Sequence, residues 1–163
     1  MTPQEPQRFH LPSVVARLGE TGYPEAYGGL TAHLTGSGAI TMTLYVVAAR
    51  AEPFVAAVRD QAARNPAAEY TVVHVPHTWA KLTALAQEIE DARGQWRARG
   101  VHIGTADPDA AASKVIITLA NHHPAAASAL RASYGDDWIS VVSSSARYIP
   151  LAAETGGARL SPP

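Results

Sequence analysis

Residues 79–99, WAKLTALAQEIEDARGQWRAR, form the longest stretch of this sequence with a clear helical period. Thr78 can cap its first turn through the side-chain hydroxyl, and Gly100 stands where a left-handed residue closes a helix. The apolar side chains recur at three- and four-residue steps and therefore share one face: Leu82, Leu85, Ile89, Ala92 and Trp96. The pattern predicts one long helix with one buried face.

The same order of strand-like and helix-like segments occurs before and after this helix. Before it, the runs YGGLTAHL and ITMTLYVVAA flank a Gly-rich turn, and a helix that begins at Pro53 leads to the strand YTVVHV. After it, VHIGTA and KVIITLA flank Asp107-Pro108-Asp109, and a helix that begins at Pro124 leads to WISVVSSS. The order predicts two ββαβ units, residues 26–76 and 101–145, although a chance match of two proline-started helices is the alternative.

The segment from YTVVHV to WISVVSSS has the order βαββαβ, which is that of a ferredoxin-like sandwich with helices on one face of an antiparallel sheet. We therefore expect an α+β fold, with a single domain over residues 26–150. The first hairpin and helix would either extend that sheet or form a second small lobe. Four prolines predict an irregular arm over residues 1–25, and a Gly- and Pro-rich composition predicts a flexible tail over residues 151–163.

Composition narrows the function classes. With 163 residues, 47% of them hydrophobic, the chain can bury a substantial core, and the absence of cysteine excludes disulfide and thiolate chemistry. The formal net charge of −1 argues against a dedicated role with nucleic acid or an anionic membrane. No run approaches the roughly 18 apolar residues of a membrane span, and no leader pattern opens the sequence. We expect a cytoplasmic protein, or a secreted one if a leader was removed.

Histidines are the candidates for a ligand or metal pocket: His33, His74, His77 and His102. The pair His74-x-x-His77 could bind Zn²⁺ if a third ligand came near. On a strand that runs into Pro76, however, the two rings need not face the same side, and the helical histidine pair of zinc hydrolases is absent. The serines at 143–145 lack the Gly-x-Ser-x-Gly turn of a nucleophile. We therefore expect no metal, no cofactor and no catalytic residues.

Residues 70–145 resemble the pro-region lobes of the alpha-lytic type of secreted serine proteases. The shared features are a strand, a helix containing LTAL, a strand, an acidic Asp-Pro turn, an apolar strand, a helix and a final short strand. In that family the pro-region is a folding chaperone and tight inhibitor of its protease, which it contacts through a sheet edge and the tail beyond its last strand. The resemblance implies the same fold and a role in protein contact, although the sequence shows neither a leader before it nor a protease domain after it.

Two functions from different classes follow from these observations. The first is a non-catalytic interaction module that binds a protein partner, or a second copy of itself, through a sheet edge and the C-terminal tail. Its expected contact residues are Trp138, Tyr148 and Ile149. The second is a small enzyme or ligand-binding protein whose histidines line a pocket against the sheet. The enzyme hypothesis requires that the imidazoles converge in a pocket. The interaction hypothesis requires an open edge strand, and the imidazoles can then lie scattered.

Overall fold

The computed structural model describes residues 11–35, 39–65 and 68–143. Within these ranges the chain forms helices and strands in the order α1 (Leu11–Gly22), β1 (Tyr27–Leu34), β2 (Ile40–Val46), α2 (Ala51–Ala62), β3 (Ala68–His74), α3 (Trp79–Asp91), α4 (Arg93–Ala98), β4 (Ile103–Asp109), β5 (Lys114–Leu119), α5 (Ala126–Tyr134) and β6 (Ile139–Ser143). A short 3-10 turn, Ala48–Arg50, leads into α2.

The strands form two three-stranded sheets, with the orders β1-β2-β3 and β4-β5-β6. In each sheet the central strand pairs antiparallel with the strand before it and parallel with the strand after it. The predicted α+β class, with its repeated ββα arrangement, is confirmed. The first hairpin builds a second sheet instead of extending the other one, because β3 pairs with β2.

The two sheets repeat one chain path in detail. The first strand of each carries a bulge at a glycine, between Tyr27 and Gly29 in β1 and between Ile103 and Thr105 in β4. Each sheet is also preceded by helix, so the repeat is αββαβ. We call residues 11–75 the N-terminal unit and residues 79–143 the C-terminal unit.

Each unit has its own core, in which two helical segments cover one face of the sheet. In the N-terminal unit, α1 and α2 contribute Leu11, Val15, Phe54 and Val58. Alternate residues of β2 point at them, which explains why Ile40, Met42, Leu44 and Val46 are buried. In the C-terminal unit the corresponding side chains are Leu82, Ile89, Trp96, Val115, Ile117, Leu130 and Ile139. Full burial of each such aliphatic side chain contributes about 1.5–3 kcal/mol.

The expected irregular arm is wrong for residues 11–22, which form α1. Proline is tolerated in the first turn of a helix, where its missing N–H has no partner to lose, so Pro12 starts this helix and does not prevent it. Burial of Leu11 and Val15 against the first sheet then stabilises α1. Residues 1–10 lie outside the described residues.

The turn predicted at Asp107-Pro108-Asp109 is also wrong, because these residues belong to β4. The hairpin turns at residues 110–113, where Ser113 has a φ of 51° and Asp109 Oδ1 accepts a hydrogen bond from the Ala112 amide at 2.7 Å. Pro108 fits into the strand because β4 is an outer strand, where a missing N–H is tolerated.

The predicted helix 79–99 is divided at Ala92 into α3 and α4. Its predicted start is confirmed, since Thr78 Oγ1 accepts a hydrogen bond from the Lys81 amide at 3.4 Å. Its end is confirmed as well, since Gly100 has a φ of 82°. Gly94, a residue of low helix propensity, is the second residue of α4.

Candidate functional site

The two outer strands of the second sheet differ in what covers them. On β4, Glu90 Oε1 accepts a hydrogen bond from the Ala106 amide at 3.1 Å, and Arg93 Nη2 donates to the Gly104 carbonyl. Glu90 and Arg93 also pair with each other, with 2.8 Å between Oε2 and Nε. Two side chains from the α3–α4 junction therefore bond backbone groups of β4 that a further strand would need. We call this pair the β4 clamp.

β6, on the opposite side of the same sheet, has no equivalent of the β4 clamp among the described residues. The Val115 amide donates to the Trp138 carbonyl at 2.8 Å. In this parallel pair, that bond fixes which residues of β6 direct their backbone groups toward β5. The alternation leaves the N–H and C=O groups of Val141 and Ser143 pointing away from β5. The Ile139 carbonyl points the same way, while the Ile139 amide bonds Gly135 O at 3.3 Å. Among the described residues these groups have no hydrogen-bonding partner, so they form an open edge.

The side chains of β6 do nothing to discourage pairing with another strand. Proteins usually protect an outer strand with charged residues, proline or a bulge. The segment Ile139–Ser143 has the sequence ISVVS, and no bulge interrupts its register with β5. Val142 is 42% exposed beside this edge. The strand is therefore uncharged, regular and partly apolar.

The turn before β6 holds the start of the strand in place. Gly135 ends α5 with a φ of 90°, which favours glycine. Arg131 Nε lies 3.0 Å from Asp136 Oδ1, and Lys114 Nζ donates to the Asp136 carbonyl at 2.8 Å. Because these contacts come from α5 and β5, the direction in which β6 leaves the turn is well defined.

An open groove of about 340 Å³ lies next to this turn, between α3 and the end of α5. Its wall is the half-buried Trp138, whose ring stacks on His77 with centroids 3.6 Å apart and an interplanar angle of 18°. Tyr134 is held by a hydrogen bond that Trp96 Nε1 donates to its hydroxyl at 3.0 Å. The remaining lining residues are Lys81, Ala84, Leu85 and Glu88. The groove offers an apolar surface with one charge of each sign.

The four candidate histidines do not come together. His33 is paired with Thr41 and His74 with Val46, so they lie five positions apart along β2, roughly 16 Å, and on opposite faces of the sheet. His77 is stacked on Trp138, and its Nε2 lies 3.3 Å from the Asp137 carbonyl. His102 precedes β4, and its amide donates to Asn121 Oδ1 at 2.8 Å. Within the described ranges, no group of three histidine or acidic side chains could hold a metal ion.

Trp138, a contact residue predicted from the sequence, lies at the start of the open strand. Tyr148 and Ile149 lie outside the described residues. The β4 clamp was not foreseen. An acidic and a basic residue at three-residue spacing are common on helices, and only the glycine in the following strand hints at a bulge nearby.

Comparisons of the chain with protein-family models, with curated proteins and with solved structures found no match. None of the helices in the described ranges is long and apolar enough to cross a membrane.

Proposed function

We propose that this chain is a non-catalytic protein-interaction module, and that it binds an extended segment of a protein partner along β6. The observation that carries this proposal is the contrast between the two outer strands of the second sheet. β4 is closed by the β4 clamp, whereas the outward backbone groups of Val141 and Ser143 have no partner within residues 11–35, 39–65 and 68–143. An added strand would satisfy these groups, as in other cases of recognition by strand addition.

Side chains beside the edge would supply the specificity. Val142 is exposed on the face of the sheet that carries no helices, where it can pack against a side chain of the added strand. Trp138 lies at the start of the strand and forms the wall of the groove on the helical side. Tyr148 and Ile149 are proposed as further contacts. A half-buried tryptophan held by stacking loses little side-chain entropy on binding, which favours a role as an anchor.

The resemblance of residues 70–145 to protease pro-regions supports a serine protease domain as one partner class. Such a partner would be contacted through the sheet edge and the tail, which agrees with the free edge of β6. The alternative, a small enzyme with a histidine pocket, has no support from the positions of His33, His74, His77 and His102, because these lie apart.

Ser143→Pro tests the proposal with little disturbance of the fold. The Ser143 amide points away from β5, so the substitution removes a donor at the free edge but no bond within the sheet. Ser143→Ala is the matched control, since it keeps the N–H. Extended peptides selected from a displayed random library on the wild-type chain serve as probes. We expect Ser143→Pro to weaken their binding about tenfold or more and Ser143→Ala to leave it unchanged. Equal binding to both variants would refute strand addition at β6.

A further inference from the structure

We infer that the strand which fills the β6 edge, when no other partner is bound, is β6 of a second copy of this chain. The result is a two-fold dimer in which the two β4-β5-β6 sheets join into one. This inference rests on the proposed role of β6 as an open edge and names the partner at that edge. A two-fold interface uses the same surface on both copies, so the strand must be complementary to itself.

The free backbone groups of β6 meet this condition in one antiparallel register. With the axis at Val141, each Val141 exchanges both of its outward hydrogen bonds with its counterpart. Each Ser143 amide then lies opposite the Ile139 carbonyl of the other copy, which is free, and not opposite the Ile139 amide, which Gly135 already occupies. All free donors of the described edge are therefore satisfied.

The side chains agree with the same register. On the face without helices, the exposed Val142 of each copy comes to lie beside Ser140 of the other, so part of its apolar surface is covered. On the helical face Val141 lies beside its counterpart. No charged side chain in Ile139–Ser143 is brought next to itself, which would oppose association.

β3, the corresponding outer strand of the N-terminal unit, fits a second copy less well. It carries Glu69 within the strand, and an acidic side chain on an edge is one of the features that discourage pairing. We therefore assign self-association to β6.

Sedimentation equilibrium of the full chain over a series of concentrations tests the inference. The wild type is expected to form a dimer. Ser143→Pro and Val142→Lys are each expected to raise the dissociation constant about tenfold or more, because every substitution occurs twice in a two-fold interface. Ser143→Ala is one control. Val14→Lys is the other, since Val14 on α1 is 43% exposed, almost the same as Val142 at 42%, but lies in the other unit.

Hydrogen exchange adds a second measurement, in which protection of the Val141 and Ser143 amides should rise with protein concentration. A dimer that Ser143→Pro and Val142→Lys leave intact would overturn the inference. A wild-type chain that is monomeric at every concentration but captures peptides in a manner sensitive to Ser143→Pro would overturn the dimer alone. A monomer that captures no peptide would overturn the dimer and the proposed function together.

Discussion

The N-terminal and C-terminal units place the same bulge at the start of their first strand, yet they use it in different ways. In β1 the bulge presents Gly29 to the rest of the protein, and a Cβ atom at this position would lie 2.3 Å from Ala110 Cβ in the hairpin turn of the other unit. In β4 the equivalent residue, Thr105, is exposed, and the β4 clamp bonds the backbone around it. The same irregularity therefore provides a docking position in one unit and a closed edge in the other.

The cores differ as well. In the N-terminal unit the Phe54 ring packs against Tyr27, with centroids 5.7 Å apart and a nearly perpendicular geometry, and against Tyr23 at 5.3 Å. The corresponding helix of the C-terminal unit, α5, contributes the aliphatic Leu130. A duplicated chain path can therefore be filled by different side chains, provided that each set covers one face of its sheet.

The largest expected effect comes from removing the centre of each core. Phe54→Ala should lower the free energy of unfolding by about 3–5 kcal/mol and Leu130→Ala by about 2–5 kcal/mol, since both residues are fully buried. Urea unfolding followed by circular dichroism measures both. Because the units are in contact, we expect one shared transition in every variant. Two separate transitions in Phe54→Ala would show that the units fold independently.

Gly29→Ala compares the two bulges directly. The substitution places a Cβ against Ala110 at a residue with a φ of 124°, so it should destabilise the protein by about 2–4 kcal/mol. Thr105→Ala, at the equivalent exposed position, should change stability by no more than about 0.5 kcal/mol. Thermal melts of the two variants side by side provide the measurement. Similar losses would mean that the bulge of β1 does not serve as a docking position.

A smaller effect is expected at the β4 clamp. Glu90→Ala removes the acceptor of the Ala106 amide, which should cost about 0.5–1.5 kcal/mol, toward the lower end because the Glu90 and Arg93 side chains are 32% and 39% exposed. Glu88→Ala, on the same helix, should stay within about 0.5 kcal/mol. Urea titration distinguishes the two. If Glu88→Ala loses as much stability as Glu90→Ala, the result would argue against the β4 clamp.

The smallest expected effect is a difference between the two units in how their contributions to stability depend on pH. Burial, assisted by the nearby charge of Glu20, raises the pKa of Tyr27 from 10 to about 12. Because the unfolded chain then loses this proton first, the contribution of Tyr27 to stability is present below pH 10 and is lost as the pH rises toward 12. The equivalent residue of the C-terminal unit is Ile103, which does not titrate.

Tyr27→Phe should therefore remove part of the stability loss that the wild type shows between pH 10 and 12. Urea unfolding at a series of alkaline pH values checks this expectation. If the two proteins lose stability in parallel over that range, burial of Tyr27 does not govern the effect.

The local features of the fold were predictable from sequence because their causes are local. Thr78 caps α3, Gly100 closes α4, and the alternating apolar residues of β2 and β5 mark the buried face of each sheet. The helix α1 was not predictable by the same reasoning, since the four prolines within residues 1–25 suggested irregular chain. Its stability comes from burial of Leu11 and Val15 against strands that are distant in sequence.

The candidate site was predictable in part. The uncharged strand WISVVSSS is visible in the sequence, and its first residue, Trp138, was predicted as a contact residue. Whether an outer strand is open or closed depends on residues elsewhere in the chain, as Glu90 and Arg93 show for β4. The separation of His33 from His74 likewise follows from strand register, which spacing along the chain does not reveal.

Trp79 belongs to α3 of the C-terminal unit, but its ring packs against the core of the N-terminal unit and beside Tyr45, Val75 and Ala110. Each unit therefore depends on the other to complete the packing around this ring. A fragment that ends before Trp79 lacks one wall of its core, and a fragment that begins there carries an indole with nothing to cover it.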